Sequence, residues 1–275
     1  MFKKHRIHKQ IQYVILALIA ICFLIPLLWI VLASIDPHAQ QGIKIPDTFT
    51  LSNYKDVLGE ASNVRSFGVG LLLSGGQAIF VVVVSALAAY PLSRYEMKFK
   101  KSFLLTILFM TALPITAVMV PVFQLFLYLK LQNSIFATML FLTASSLPYG
   151  IWMMKNFMDS VPIDLEESSW IDGASVWTGL RKIVAPLMLP GIATIAIFTF
   201  SGSWGNFFVP YILLQTPEKL PASVLIYQFF GNHGMVEYGR LAAFSLLYTM
   251  PSVILYIFSQ RYMSKGFSMG GATKG

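Results

Sequence analysis

The sequence has little of what a soluble protein of its length carries on its surface. Only 12% of its 275 residues are Asp, Glu, Lys or Arg, while 56% are hydrophobic. That mixture is too apolar for a soluble domain of this size and places the chain in a membrane. There is one cysteine, Cys22, inside an apolar run, which excludes an internal disulfide and a cysteine metal cluster. The four histidines (His5, His8, His38 and His233) are scattered, and no H-E-x-x-H string joins any of them to a zinc pattern. No G-x-S-x-G elbow occurs. No phosphate loop occurs either: Gly270-Gly271-Ala272-Thr273-Lys274 has the wrong spacing, so the chain has no ATPase site of its own. The net charge of +8 and pI near 9.5 do not point to nucleic acid, because the basic residues lie in short segments between apolar runs, without aromatic interleaving.

What is present is a series of six long apolar runs, at about 13–35, 67–92, 102–126, 135–154, 190–214 and 241–260, none containing a charged side chain. Each is long enough to cross a hydrocarbon layer of roughly 30 Å, and the first is too long for a signal-peptide core. An ionisable residue inside a span is the usual mark of a proton or ion relay, and its absence argues against a secondary transporter or pump. The second run is rich in small residues (Gly68, Gly70, Ser74, Gly75, Gly76, Ser85, Ala86), which permit close helix contact. The third holds Pro114 and Pro121, which predict a kink. Between the first two runs, a short helix is expected around 53–58, stopped by Gly59.

Charge sets an expected orientation. With the N-terminal segment 1–12 in the cytoplasm, the inside receives Lys3, Lys4, Arg6, Lys9, Arg94, Lys98, Lys100, Lys101, Lys155, Arg181, Lys182, Arg261, Lys265 and Lys274. The outside keeps Lys44, Lys55, Arg65, Lys130, Lys219 and Arg240. An excess of Lys and Arg in short cytoplasmic segments is the established signal, so both termini, including the tail 261–275, are expected inside.

The stretch 161–190, VPIDLEESSWIDGASVWTGLRKIVAPLMLP, then faces the cytoplasm. Asp164 and Glu167 have capping-box spacing and predict a short helix after Pro162. Asp172-Gly173 ends it, and a second helical run from Ala174 carries Leu180, Ile183, Val184 and Leu187 on one side. The plain alternative is that Glu167 and Asp172 only cap and solubilise a loop.

This stretch resembles the EAA motif of binding-protein-dependent ABC importer permeases. Glu167-Ser168-Ser169 stands for EAA, Gly173 for the glycine, and Ile183, Pro186 and Pro190 fit the rest. The likeness extends to PDTFTLSNYKDVL at 46–58, ALAAYPLSRYEMKFKK at 86–101, SWGNFFVPYILL at 203–214 and the tail, and so covers essentially the whole chain, in the manner of carbohydrate-uptake permeases of the maltose-transporter type. Two departures stand out: serines replace the two alanines, and Gly205 interrupts the WNEF or WNDF string common in such permeases.

The resemblance implies an all-α membrane protein with six transmembrane helices, N-in and C-in, of the type I ABC importer fold with a cytoplasmic coupling helix. It implies an inner-membrane subunit, bacterial or archaeal, that forms half of an ATP-driven uptake pathway for a sugar or oligosaccharide. Its implied partners are a second permease, a dimeric ATPase that binds the ATP, and an extracytoplasmic solute-binding protein. The ATPase-coupling residues would be Glu167, Ser168, Ser169, Asp172, Gly173 and Ala174. The polar and aromatic residues Gln77, Tyr90, Tyr149, Asn156, Trp204, Asn206 and Phe207 are candidates for the substrate path, although each also suits an interfacial or helix-packing role. A polyol or glycerol phosphate importer of the same architecture, or an intramembrane enzyme, are the rival readings.

Overall fold

A computed structural model describes the backbone of residues 2–230 and 236–271 and the side chains of residues 9–230 and 236–260. His5, His8, His233, most of the basic N-terminal segment and the 261–275 tail therefore lie outside the described side chains. Every regular element among the described residues is helical. Four helices are long and apolar enough to cross a membrane, or up to six if each of two bent helix pairs counts as one span.

The chain divides into two compact units. One is built from residues up to Val64 and from Leu225 to Met250. It contains α1 (Phe2–Ser34), whose apolar side chains from Ile11 to Leu28 are exposed, and α2 (Ser52–Gly59), the short helix expected near Asn53. Asn53 is the knot of this unit. Its Nδ2 donates to the Ser34 carbonyl at 3.1 Å and to the Asp36 carbonyl at 2.9 Å, satisfying the end of α1.

The other unit comprises Arg65 to Val224 together with the chain from Pro251 onward. It holds α3 (Ala61–Arg94) beyond its first turn, α4 (Lys100–Met110), α5 (Ile115–Tyr128) and α6 (Ile135–Asp159). Then come α7 (Asp164–Ile171), α8 (Val176–Gly179), a π turn at Leu180–Val184, α9 (Ala185–Leu187), α10 (Leu189–Trp204), α11 (Phe208–Leu213) and α12 (Ala222–Leu225). The last helix, α13 (Tyr238–Gly271), runs from one unit into the other. Val81, Tyr90, Met154, Met158, Val184 and Ile195 form the core where α3, α6 and α10 meet. Small residues permit this packing: a Cβ on Gly150 of α6 would lie 2.8 Å from Val81 and 2.5 Å from Ser85 of α3. Gly70 and Gly76 meet Trp204 and Met139 in the same way, whereas Gly68 and Gly75 have open space around them and do not serve close contact.

Two expected spans are broken. The run 102–126 splits into α4 and α5, which meet at 91°, because Pro114 has no N–H for the preceding turn and disfavours helical geometry at Leu113. Pro121 stays inside α5 without a break. The run 190–214 begins one residue earlier, at Leu189, and ends as a helix at Trp204, with α11 resuming at Phe208 after a break at 205–207. A bend of 74° separates the Val176–Leu187 segment from α10.

Candidate functional site

Two places in the larger unit bring chemistry together. The first is the knob made by α7, its elbow and α8. Helix α7 begins without the expected capping box: Ile163 is already helical, at φ −65° and ψ −32°, and its carbonyl takes the N–H groups of Glu166 and Glu167 at 2.8 and 3.0 Å. Pro162 presets this entry, so Asp164 sits in the first turn, where its charge complements the helix dipole, and caps nothing with its side chain. The elbow is a Schellman turn. Gly173 takes φ +84°, its N–H donates to Trp170 O at 3.0 Å, and Ala174 N–H donates to Ser169 O at 2.9 Å. A side chain at position 173 would be strained by the backbone alone, since nothing else lies within 4 Å.

The hydroxyls of Ser168 and Ser169 turn back onto the Asp164 and Glu166 carbonyls, both at 2.7 Å. Their donor protons are therefore used within α7, and their oxygens can still accept. Glu167 and Asp172 face outward, beside apolar side chains left bare: Ile171 is 87% exposed and Trp177 is well exposed.

After the elbow, Ser175 caps α8 by accepting the Thr178 N–H at 3.3 Å. The π turn then adds a residue to the helical period. Val184 is buried as expected, but Leu187 is exposed and Met188 takes the inward place, a slip of one position. Pro186 and Pro190 cannot donate to the turns before them, which accounts for the irregularity here.

The residue next to Glu167 was not singled out by its sequence, yet it is the most constrained in the knob. Glu166 is fully buried and forms an ion pair with Arg94 at the end of α3, Nε to Oε1, at 2.5 Å. Tyr90, one turn back on α3, donates its hydroxyl to the other carboxylate oxygen at 3.2 Å. Removing one partner from such a buried pair costs about 3–5 kcal/mol, because the other charge is left uncompensated.

The second place is a cavity of about 420 Å³ among α3, α6, α10 and the α4–α5 break. Its polar lining consists of Gln77, Thr111, Ser145, Ser146, Tyr149, Thr199, Ser203 and Asn206, with Ile115, Leu142 and Phe198 supplying apolar wall. No charged side chain lines it. Gln77, 3% exposed, donates through Nε2 to Leu142 O at 3.0 Å, while its Oε1 and the buried Ser203 Oγ have no hydrogen-bond partner among the described residues. Asn206 spans the α10–α11 break, its Oδ1 accepting the Val209 N–H at 3.1 Å and its carbonyl the Ser223 hydroxyl at 2.9 Å.

A match to the family model of the binding-protein-dependent transport system inner membrane component covers residues 81–268. The chain belongs to that family. The permease is 30% identical over 259 residues to the trehalose transport system permease protein SugB of Mycobacterium tuberculosis, covering 92% of this chain and 93% of that one. It is likewise 30% identical to the galactooligosaccharides transport system permease protein GanQ of Bacillus subtilis, over 96% of this chain and 95% of that one. Among solved structures, a bacterial ABC transporter involved in import of the acidic polysaccharide alginate superimposes with a TM-score of 0.83 at 23% identity, covering 94% and 96% of the two chains. The permease is thus an all-helical, multi-pass membrane protein of the type I importer fold, a transport subunit rather than an enzyme.

Of the residues singled out for a substrate path, the permease places Gln77, Tyr149 and Asn206 at the cavity. Trp204 is buried against Phe200 and Gly70, Phe207 stacks on Tyr211, Tyr90 belongs to the Glu166 cluster, and Asn156 is exposed outside the cavity. Thr199, Ser203, Ser145 and Ser146 were passed over. For two of them the signal was present as spacing: Thr199 and Ser203 fall at i and i+4 on the apolar α10, with Asn206 just past its end.

Proposed function

We propose that this permease forms half of the membrane pathway of an ATP-driven importer for a neutral, polyhydroxylated solute, a sugar or oligosaccharide. A second permease completes the pathway, an extracytoplasmic binding protein delivers the solute, and a dimeric ATPase holds the ATP. Six spans cross the membrane, with α4 and α5 together making one, and both termini lie in the cytoplasm, as the Lys and Arg distribution supports.

The observation that carries the reading is the exposed knob, where bare Ile171 and Trp177 stand beside the outward carboxylates Glu167 and Asp172. A soluble partner with an apolar cleft and basic rim would cover such a surface. Closure of the ATPase dimer would push the knob, and the helices would convert the push into alternating access. The solute class is supported by the uncharged cavity: hydroxyls and amides suit sugar hydroxyls, and a phosphate-bearing solute would call for Arg or Lys there.

The test is ATPase activity of the reconstituted importer stimulated by its binding protein, comparing wild type with Glu167→Ala and Gly173→Asp at equal membrane levels. Loss of stimulation or of ATPase retention is expected. Unchanged stimulation and transport in both variants would remove the coupling role. A solute screen through the binding protein then separates sugars from polyols and glycerol phosphates.

A further inference from the structure

The coupling knob is joined by the chain itself to α6 on one side and to α9 and α10 on the other. Helix α3 has no such connection, since its last residue, Arg94, precedes Glu166 by 72 positions. Yet α3 carries Gln77 into the cavity. Arg94 lies 17 residues beyond Gln77 on this helix, a reach of about 26 Å at the α-helical rise.

The two are fastened by a compact polar cluster. Arg94 Nε meets Glu166 Oε1 at 2.5 Å, Arg94 Nη2 donates to the Val161 carbonyl at 3.2 Å, and Tyr90 holds Glu166 Oε2. Ser93 adds a bond to Asp159 at the end of α6, at 2.7 Å, and Lys155 pairs with the same carboxylate. The Arg94 and Glu166 side chains are 5% and 0% exposed. Stability alone does not call for such a pair, because well-packed apolar residues in its place are often neutral or stabilising. A charged pair buried here instead fixes one position of α7 against α3.

We propose that the Arg94–Glu166 pair is the joint through which displacement of α7 reaches α3, which makes both of them positioning residues for coupling. The proposal rests on the coupling reading above. It divides labour within α7: Glu167 faces the ATPase, while Glu166, one residue earlier, holds the pathway helix. Tyr90 and Arg94, at i and i+4 on α3, present one face to the carboxylate and move with it as a unit.

The test uses the complete importer in liposomes and reads two quantities: ATPase subunits retained on purification, and solute transported per ATP hydrolysed. The wild type is read first, since lack of binding-protein-stimulated transport there would overturn the importer reading itself. Glu166→Gln and Arg94→Gln are expected to keep the ATPase subunits and hydrolyse ATP, with transport per ATP falling about tenfold, within the usual range of coupling between sites. The reciprocal exchange, Arg94→Glu with Glu166→Arg, should recover part of that ratio. Tyr90→Phe, which removes one hydrogen bond and no charge, should give a smaller fall and serves where the charge variants do not assemble. An unchanged ratio in the assembled variants would overturn the proposal. So would loss of the ATPase subunits matching that of Glu167→Ala, since the pair would then only build the docking surface.

Discussion

Gln77 of α3 donates to Ser146 Oγ of α6 at 2.8 Å, across 69 positions of sequence and at the wall of the uncharged cavity. The same amide nitrogen reaches the Leu142 carbonyl, so one side chain ties α3 to α6, while its oxygen is buried without a hydrogen-bond partner among the described residues. Gln77→Ala is expected to lower initial uptake about tenfold at saturating loaded binding protein, in keeping with roughly 1–3 kcal/mol for leaving buried polar groups unmatched. Leu72→Ala, on the exposed side of the same helix, should leave uptake near wild type.

The elbow predicts an order among substitutions. Left-handed backbone costs an ordinary L-residue about 1–2 kcal/mol, and asparagine is among the residues that tolerate it best. Retention of ATPase subunits should therefore fall in the order Gly173, Gly173→Asn, Gly173→Ala, Gly173→Val. Equal retention across the series would show that the turn adapts without its positive φ.

Close packing of α3 on α6 is tested by Gly150→Ala, whose added methyl would meet Val81 and Ser85 well inside van der Waals distance. Overpacking of this kind costs about 1–3 kcal/mol, so the melting temperature of the purified complex should drop. Adding Val81→Ala should recover part of the loss.

Asn53→Ala removes both bonds to the chain after α1, leaving the carbonyls of Ser34 and Asp36 without this donor. A loss of roughly 1–3 kcal/mol is expected, read as a lower melting temperature. Gly239→Ala should destabilise the same unit, because its Cβ would lie 2.7 Å from the Asn53 amide.

Orientation is open to single-cysteine labelling on a Cys22→Ser background. Lys98→Cys, exposed in the segment after α3, should react with an impermeant thiol reagent only when the cytoplasmic face is open, and Glu218→Cys only from the outside. The reverse pattern would invert the proposed topology.

The sequence by itself determined the membrane class, the apolar runs, the short helix near Asn53 and the glycine elbow. Each of these follows from local composition or from a residue whose backbone preference is decided within a few positions. Other features needed partners distant in the chain. Pro114 breaks its span at 91° while Pro121 does not break its helix, although both lie in the same apolar run. The π turn shifted the inward position from Leu187 to Met188, since a period read along one helix does not register an inserted residue. Above all, Glu166 and Glu167 are the same residue type, side by side. Only the tertiary structure decided that the first is buried on Arg94 and the second faces water, because a helix turns about 100° per residue and the cation that selects between them lies on another helix.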